Sequence, residues 1–295
     1  MNYMYAIQTT NLTKYYGKSR GIVDLNLAVK KGEFFGFIGP NGAGKSTCIR
    51  TLLGLIKSSS GSATVLGLDI QQNKTEILKR VGYMPSETMF YAGMRVKDVL
   101  KLSADLRKVN CSEEAGNLCE RLQLDVNKKV EELSFGNKKK VSIVCALQHK
   151  PELLILDEPT SGLDPLMQRE FFQILQERNA EGTTIFLSSH ILAEVQRNCT
   201  RAGIIREGRL IACDSVEALA QTKAKRVHAQ GNVNIEELGQ VRDLRQTENG
   251  LTFLYGGEMK QLLEVLSKQP IQDLSISEPN LEEIFMHYYV DGGEA

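Results

Sequence analysis

The sequence predicts an α/β fold with a mainly parallel central sheet, and two patterns in the first two-thirds of the chain indicate it. Short runs rich in β-branched and aromatic residues alternate with longer amphipathic stretches, as the strands and helices of a layered fold do. Two of the runs, Phe34–Ile38 and 153–156, are almost wholly apolar, as expected for parallel strands buried on both faces. With 42% apolar residues in a chain of 295, a sizeable core can form, which excludes a disordered protein.

The elements follow from these periodicities in chain order. Strands are predicted at 22–29, 33–38, Val81–Met84, 153–156, 183–187 and 202–206. Helices are predicted at 45–56, 96–109, 112–122, 138–148, 165–178 and 191–197. Because the stretch 86–147 is almost wholly helical in pattern, we expect a helical lobe there, inserted into the α/β core and suited to docking.

The pattern changes near Asp214, where a second domain is expected. The segments 225–230, 251–255, 258–267, 271–276 and 280–289 predict a small α+β domain. Charge divides at the same place: 29 basic and 23 acidic residues precede position 216, and 7 basic and 13 acidic residues follow Ser215. We therefore predict one domain at 1–215 and a C-terminal accessory domain at 216–295.

Composition excludes several classes of protein. The whole chain carries 36 basic and 36 acidic residues, which argues against nucleic-acid binding through bulk charge. No run of about 18 apolar residues predicts a membrane span, and the start shows neither a signal core nor a small-residue cleavage site. The six cysteines form no CxxC pair, so we expect reduced thiols rather than zinc ligands or disulfides.

A glycine-rich loop follows the strand 33–38 directly and leads into an apolar-periodic helix, the context that supports a GxxxxGK[ST] motif. This P-loop consists of Gly39, Pro40, Asn41, Gly42, Ala43, Gly44, Lys45, Ser46 and Thr47. Its backbone N–H groups can face phosphate oxygens at a helix N-terminus. Lys45 can reach the β- and γ-phosphates, the Ser46 hydroxyl can bind Mg²⁺, and Thr47 can hold the α- and β-phosphates. The alternative is an ordinary glycine-rich turn.

Two carboxylates, Asp157 and Glu158, end the apolar strand 153–156. A buried parallel strand delivers its last side chains to the carboxyl edge of the sheet, where ligands of open α/β folds bind. Asp157 is then a direct or water-mediated partner of Mg²⁺, and Glu158 can orient and deprotonate the water that attacks the γ-phosphate. The alternative is a solvated strand end.

Three further segments indicate which class of P-loop NTPase this sequence belongs to. Their sequences are Leu133-Ser134-Phe135-Gly136-Asn137, Ser161-Gly162-Leu163-Asp164 and Ser188-Ser189-His190. In this order and spacing they resemble the signature, the D-loop and the switch histidine of ATP-binding-cassette (ABC) ATPases, over about residues 7–215. The resemblance implies a P-loop NTPase fold of the ABC type, with ATP and Mg²⁺ as cofactors.

The resemblance also implies roles for single residues. Ser134 and Gly136 would bind the γ-phosphate of ATP held by a second ABC subunit, so that one chain is half a site and the dimer is either homomeric or heteromeric. His190 would contact the γ-phosphate and position the water with Glu158, and Asp164 would communicate across the dimer. Tyr16 would stack on adenine, with Tyr15 as the fallback. The plainer alternatives are helix caps at His190 and Ser134, and an exposed turn residue at Tyr16.

Two segments depart from the family pattern. Phe135 and Asn137 stand where the commonest signature, LSGGQ, has glycine and glutamine. In the Q-loop, which follows Val81–Met84, Ser86 occupies the place of the usual glutamine and Glu87 comes one residue later. We expect either that Ser86 makes the contact of the usual glutamine through a water molecule or that Glu87 takes the place of that glutamine.

The type of ABC protein is predicted from what the chain lacks and how it ends. Neither long coiled coils, zinc modules nor a second cassette is present, so we expect a separate transmembrane permease as partner, docking near 89–99. The residues expected to face it, unless they are core, are Phe90, Tyr91, Met94 and Val96. The pattern P-x-L-E-x-x-F at 279–285 is similar to the end of bacterial drug, antibiotic and peptide exporter cassettes, although a space-filling or dimer-stabilising helix is the alternative.

The resulting prediction is an ATPase subunit that powers export, with no nucleic-acid partner, located in the cytoplasm and peripheral on the inner face of the cell membrane. The alternative is a nucleotide-gated switch that controls a partner protein without transport. A small-molecule P-loop kinase is disfavoured by the signature and the D-loop.

Overall fold

The structure is a computed structural model that describes residues 4–91, 93–220 and 224–277. The chain divides into two compact units, Met1–Val216 and Glu217–Ala295, next to the boundary predicted after Ser215. Within the described residues, no helix is both long enough and apolar enough to cross a bilayer.

A six-stranded sheet forms the centre of the first unit, in the order β11-β10-β4-β9-β8-β7. Its strands are β4 (Phe34–Ile38), β7 (Val81–Met84), β8 (Leu153–Asp157), β9 (Thr184–Ser189), β10 (Arg201–Arg206) and β11 (Arg209–Ser215). Neighbours from β7 to β10 pair in parallel, and only the edge strand β11 is antiparallel. The α/β fold with a mainly parallel central sheet, predicted from the apolar runs, is confirmed.

A second, antiparallel sheet was not predicted. It contains β1 (Tyr5–Tyr16), β2 (Ser19–Leu25), β3 (Ala28–Lys30), β5 (Ser60–Val65) and β6 (Leu68–Asp69). The prediction of a single strand at 22–29 was wrong, because the chain leaves β2 at Leu25 and re-enters the sheet at Ala28. At this break the Asn26 side chain donates to the carbonyl oxygen of Asp24, which has a φ of 48°.

Helices cover the parallel sheet and form the lobe. In the first unit they are α1 (Lys45–Leu52), α2 (Lys74–Arg80), α3 (Val96–Arg107), α4 (Ser112–Arg121), α5 (Phe135–Leu147), α6 (Pro165–Ala180) and α7 (Leu192–Asn198). The short helix α8 (Val216–Ala220) begins at the last residue of the first unit and continues into the second. The predicted lobe at 86–147 contains α3, α4, α5 and a short 3-10 turn at Val130–Glu132. In α3 the buried residues Val96, Val99, Leu100 and Ala104 recur at helical spacing, which makes one apolar face.

One apolar core joins the two sheets beneath the P-loop. Phe37 packs against Phe186 with ring centroids 5.3 Å apart, and Ile22 of the antiparallel sheet and Ile49 of α1 belong to the same buried cluster. The start of α1 is therefore fixed relative to the ends of β4 and β8 by close packing.

The second unit has a four-stranded antiparallel sheet in the order β13-β14-β12-β15, with one helix on it in the described residues. Its elements are β12 (Lys225–Gly231), β13 (Val241–Thr247), β14 (Gly250–Tyr255), α9 (Met259–Leu266) and β15 (Ile271–Ser277). Phe253, Tyr255 and Leu262 form its core. The helix predicted at 280–289 and the motif at 279–285 lie outside the described residues.

Candidate active site

Glycines allow the P-loop to fold tightly around a small cavity. Gly44 precedes α1 with a φ of 109°, and a Cβ atom there would lie 2.6 Å from the carbonyl oxygen of Gly21. A Cβ at Gly39 would lie 2.5 Å from the carbonyl oxygen of Ile205. Only glycine fits at such approaches. Because the first turn of α1 contains no acidic side chain, its dipole and free N–H groups remain suited to an anion.

The cavity has a volume of about 170 Å³. Its lining residues are Arg20, Gly21, Pro40, Asn41, Gly42, Gly44, Lys45, Ser46, Thr47 and Glu158. Most of the predicted P-loop residues and Glu158 therefore meet in one place, whereas Gly39 and Ala43 are buried beneath it. Arg20 and Gly21 were not predicted. A glycine within the strand β2 was the available signal, since it commonly marks a close approach of another backbone.

Lys45 connects the P-loop with the end of β8. Its side chain is only 5% exposed, and Nζ donates to the carbonyl oxygens of Gly39 at 2.6 Å and Pro40 at 3.2 Å. The same Nζ lies 3.2 Å from Oε1 of Glu158. The partners of the ammonium group are thus all oxygen atoms. An anionic ligand in the P-loop cavity would add further oxygen acceptors to it.

Glu158 follows β8 in a left-handed backbone conformation, with a φ of 48°. Its N–H donates to the carbonyl oxygen of Ser188 at 3.0 Å, which ties it to the neighbouring strand β9. Its side chain is 22% exposed and lies between Lys45 and His190, whose Nδ1 is 3.3 Å from Oε1. A non-glycine residue in this region is uncommon and is a frequent feature of functional sites.

His190 follows β9, and its side chain is 48% exposed. The alternative that it caps α7 is wrong, because the N-cap residue is Ile191 and no side-chain hydrogen bond caps this helix. Ser189 Oγ accepts from the N–H of Ile191 at 2.9 Å and donates to the carboxylate of Glu194 at 2.8 Å. His190 is therefore free of a capping role and faces Glu158.

Asp157 is fully buried beside Glu158. Oδ1 accepts from the Ser188 hydroxyl at 3.0 Å, but Oδ2 is buried and has no hydrogen-bond partner. Burial raises the pKa of the Cys48 thiol, and the negative charge of Asp157 raises it further, which places this charge close to α1. An unpaired buried carboxylate oxygen is costly, so a cation would stabilise this arrangement.

The donor set limits what that cation could be. Among the described residues, no group of three or more His, Cys, Asp and Glu side chains could hold a metal ion. A cation at Asp157 would therefore need oxygen atoms of a bound ligand or of water in addition to the carboxylate. This is the coordination that Mg²⁺ accepts and that Zn²⁺ does not favour.

The signature and the D-loop lie against each other, outside the P-loop cavity. Ser134 caps α5, with its Oγ accepting from the N–H of Asn137 at 3.3 Å, so the capping alternative for Ser134 is correct. Its side chain is nevertheless exposed. A Cβ at Gly136 would lie 2.8 Å from the carbonyl oxygen of Gly162, and a Cβ at Gly162 would overlap the ring of Phe135.

Asp164, the last residue of the D-loop, caps α6. Its Oδ1 accepts from the N–H groups of Leu166 at 3.1 Å and Met167 at 3.0 Å. None of Ser134, Gly136 and Asp164 lines the P-loop cavity of their own chain. One chain therefore brings together the P-loop, Glu158 and His190, but it does not bring the signature to them.

Tyr16 lies beside the P-loop at the end of β1. Its ring edge and the Thr47 methyl group both approach Gly21, where a Cβ would lie 3.2 Å from the first and 2.7 Å from the second. Tyr16 is 47% exposed, and Nζ of Lys14 lies over its ring at 5.2 Å from the centroid. Tyr15 instead donates its N–H to the Ser59 hydroxyl.

The Q-loop segment contacts the rest of the site through its backbone. The carbonyl oxygen of Ser86 accepts from Lys139 Nζ at 2.7 Å, and the Glu87 side chain is exposed. Of the expected docking residues, Tyr91 is 75% exposed. The assignment of Val96 to that surface was wrong, because this residue is fully buried in the apolar face of α3.

Comparisons with known proteins agree with this geometry. Residues 22–161 match the family model described as ABC transporter. The chain is 37% identical to the bacitracin transport ATP-binding protein BcrA of Bacillus licheniformis, over 95% of this chain and 96% of the relative. It is 30% identical to the linearmycin resistance ATP-binding protein LnrL of Bacillus subtilis, over 95% and 97% of the two chains.

A solved structure of an ATP-binding subunit of an ABC transporter has the same fold. It superimposes with a TM-score of 0.70 at 29% identity, over 72% of this chain and 91% of that one. The part that this structure leaves uncovered is about the size of the second unit. The two antibiotic-related proteins, by contrast, align with this chain over nearly its whole length.

Proposed function

The chain belongs to the ATP-binding proteins of ABC transporters, an ATPase family, and from this membership we propose that it hydrolyses ATP to drive export through a separate membrane permease. The relatives named for bacitracin transport and linearmycin resistance support a drug, antibiotic or peptide as the exported compound. They match along almost the whole chain, second unit included, which supports the same arrangement of domains.

The observation that carries the proposal is the meeting of three side chains at one oxygen. Glu158 Oε1 lies 3.2 Å from Lys45 Nζ and 3.3 Å from His190 Nδ1. With a triphosphate in the P-loop, Lys45 stabilises the negative charge of its terminal phosphates. Glu158 orients the attacking water and accepts its proton, and His190 fixes the carboxylate from the solvent side.

Mg²⁺ fits the site through Asp157 and Ser46. We propose that the buried and unpaired Oδ2 of Asp157 faces the ion directly or through a water, and that the Ser46 hydroxyl in the first turn of α1 binds it. The ion supplies neutralisation of charge on the phosphate oxygens. Asp157 is held for this task by its hydrogen bond from Ser188.

A second ABC subunit completes the proposed site. Ser134 and Gly136 stand at the start of α5, away from the P-loop cavity, with the Ser134 side chain exposed. We propose that they bind the γ-phosphate held by the partner subunit, and that Asp164 in the adjoining D-loop faces that subunit. Tyr16, which is 47% exposed and lies close to Gly21 together with Thr47, stacks on adenine.

The membrane permease is the second proposed partner. Met89 and Tyr91, 90% and 75% exposed, follow the Q-loop segment and offer apolar surface to it. We accordingly propose that the chain works at the cytoplasmic face of the membrane. Detergent extracts should yield a polytopic membrane protein with the tagged chain. Recovery of a soluble partner alone would favour the nucleotide-gated switch.

Glu158→Gln tests the ATPase mechanism. The amide keeps the size of the side chain but cannot accept the proton, so the variant should bind Mg·ATP, remain in a stable dimer by light scattering, and turn over about 10²-fold more slowly. Glu76→Gln makes the same change at an exposed position of α2 and should behave as the wild type. A monomeric and fully active Glu158→Gln protein would refute the proposal.

A further inference from the structure

Lys139 is a charged residue in the interior of the first unit. It lies on α5, the helix that begins at the signature, and it is 1% exposed. A lysine is rarely buried so fully unless its ammonium group has strong partners. Its neighbours in sequence, Lys138 and Lys140, are both partly exposed, so the basic run does not explain this burial.

The partners of Lys139 are main-chain carbonyl oxygens of two other segments. Nζ donates to Ser86 at 2.7 Å, and it also lies 3.4 Å from the carbonyl oxygens of Pro85 and Glu158. An ammonium group has three N–H donors, and here three acceptors surround it. The side chain therefore connects the signature helix, the Q-loop segment and the residue after β8.

The contact with Glu158 falls on a strained residue. The left-handed backbone of Glu158 is fixed on one side by its own N–H bond to Ser188 and on the other by the contact of its carbonyl oxygen with Lys139. A change of this backbone would rotate the carboxylate away from Lys45 and His190. The negative charges of Asp157 and Glu158 favour the protonated ammonium, while burial lowers the pKa of Lys139 more strongly than they raise it.

We propose that Lys139 is a positioning residue for ATP hydrolysis, which holds the Glu158 backbone in place and makes that position depend on the Q-loop segment and the signature helix. The inference rests on the proposed ATPase function of Glu158. It also gives Ser86 a backbone role in the site, where sequence patterns pointed to its side chain or to Glu87. A displacement of residues 85–86 relative to β8 would therefore move the Glu158 carboxylate through the Lys139 side chain.

Lys139→Met, Lys139→Gln and Lys139→Arg test the proposal in the full chain, with Lys140→Met as the matched control on the same helix. Lys139→Met should lower kcat by about 10²-fold, since small displacements of catalytic groups have effects of this size. KM for ATP should stay within about twofold, because the P-loop is untouched. Arginine should restore more of kcat than glutamine, which offers fewer donors.

If Lys139→Met fails to fold, the other two variants test the proposal. We then expect kcat to decrease from the wild type to Lys139→Arg and further to Lys139→Gln. Wild-type kcat in both of these variants would overturn the proposal, as would equal changes in kcat and KM, which indicate general disruption. Hydrogen exchange of the nucleotide-free protein gives a readout that needs no turnover. The amide hydrogens of the peptide containing Glu158 should exchange faster in the Lys139 variants than in the wild type. In Lys140→Met their exchange rate should be unchanged.

The same experiments separate this inference from the proposed function. A wild-type chain without ATPase activity would contradict the proposed function. Hydrogen exchange of the peptide containing Glu158 would still show whether Lys139 holds the Glu158 backbone in place. An active wild type whose Lys139 variants match it in kcat and in exchange would overturn the inference alone.

Discussion

Nδ1 of His190 lies 3.3 Å from Oε1 of Glu158, although the two residues follow different strands of the parallel sheet. Because β8 and β9 are parallel neighbours, their carboxyl ends lie at one edge, and the residues that follow them approach each other. Lys45, which follows β4 on the other side of β9, reaches the same oxygen. Three distant segments of the sequence thus meet at one carboxylate.

His190→Ala should slow hydrolysis without preventing nucleotide binding. The change removes the group that fixes Glu158 from the solvent side, and we expect kcat to fall by about 10²-fold while the affinity for ATP changes little. Since half of this side chain is exposed, stability should hardly change. His228→Ala, at an exposed position of β12, is the control. A parallel loss of ATP binding would show that His190 acts on the ground state instead.

Tyr16→Ala should raise KM for ATP by a factor that corresponds to about 1–3 kcal/mol, the usual contribution of one base stacked on an aromatic ring. Tyr16→Phe retains the ring and should remain near the wild type. Tyr15→Ala is the matched control, since Tyr15 is the adjacent tyrosine and is exposed to a similar extent. GTP should replace ATP with a similar KM, because stacking discriminates poorly between bases. A larger effect at Tyr15 would assign adenine binding to that residue.

The parallel sheet and the P-loop could be predicted because their signals are local. A continuous apolar run gives a buried strand, and the motif after it gives the loop. The antiparallel sheet of the first unit could not be predicted in the same way, because bulges interrupt the alternation of β1. In the second unit, β13 was missed because nearly all of its residues are exposed and leave no apolar pattern. Similarly, nothing in the run Lys138-Lys139-Lys140 tells which ammonium group is buried, since that depends on carbonyl groups of distant segments.

Phe135 and Gly162 should show a measurable energetic coupling. Gly162 has a φ of 80°, and the Phe135 ring occupies the space that a Cβ would need. We expect Gly162→Ala to lower the free energy of unfolding by about 2 kcal/mol, of which about half reflects the left-handed backbone. In a Phe135→Ala background the ring is gone and only that half should remain. A double-mutant cycle in urea measures the difference, and equal costs in both backgrounds would contradict this packing.

His149 should make the stability of the protein depend on pH below neutrality. Burial, and to a smaller extent the positive charge of Arg107, lower its pKa from 6.5 to about 4. Between these two values the unfolded chain binds a proton that the folded chain does not bind. Acidification therefore favours the unfolded state, so this contribution to stability is complete above about pH 6.5 and decreases as the pH falls toward 4.

His149→Gln removes the titrating group and should flatten this dependence. Between about pH 7 and about pH 5, the wild type should lose about 2 kcal/mol more than the variant in its free energy of unfolding. Urea titrations followed by circular dichroism measure this difference. Circular dichroism is the suitable signal because the chain has no tryptophan. His228→Gln makes the same exchange on β12 and reports any effect of the substitution itself. If the wild type and His149→Gln lost equal stability over this interval, His149 would have to be protonated in the folded state as readily as in the unfolded chain.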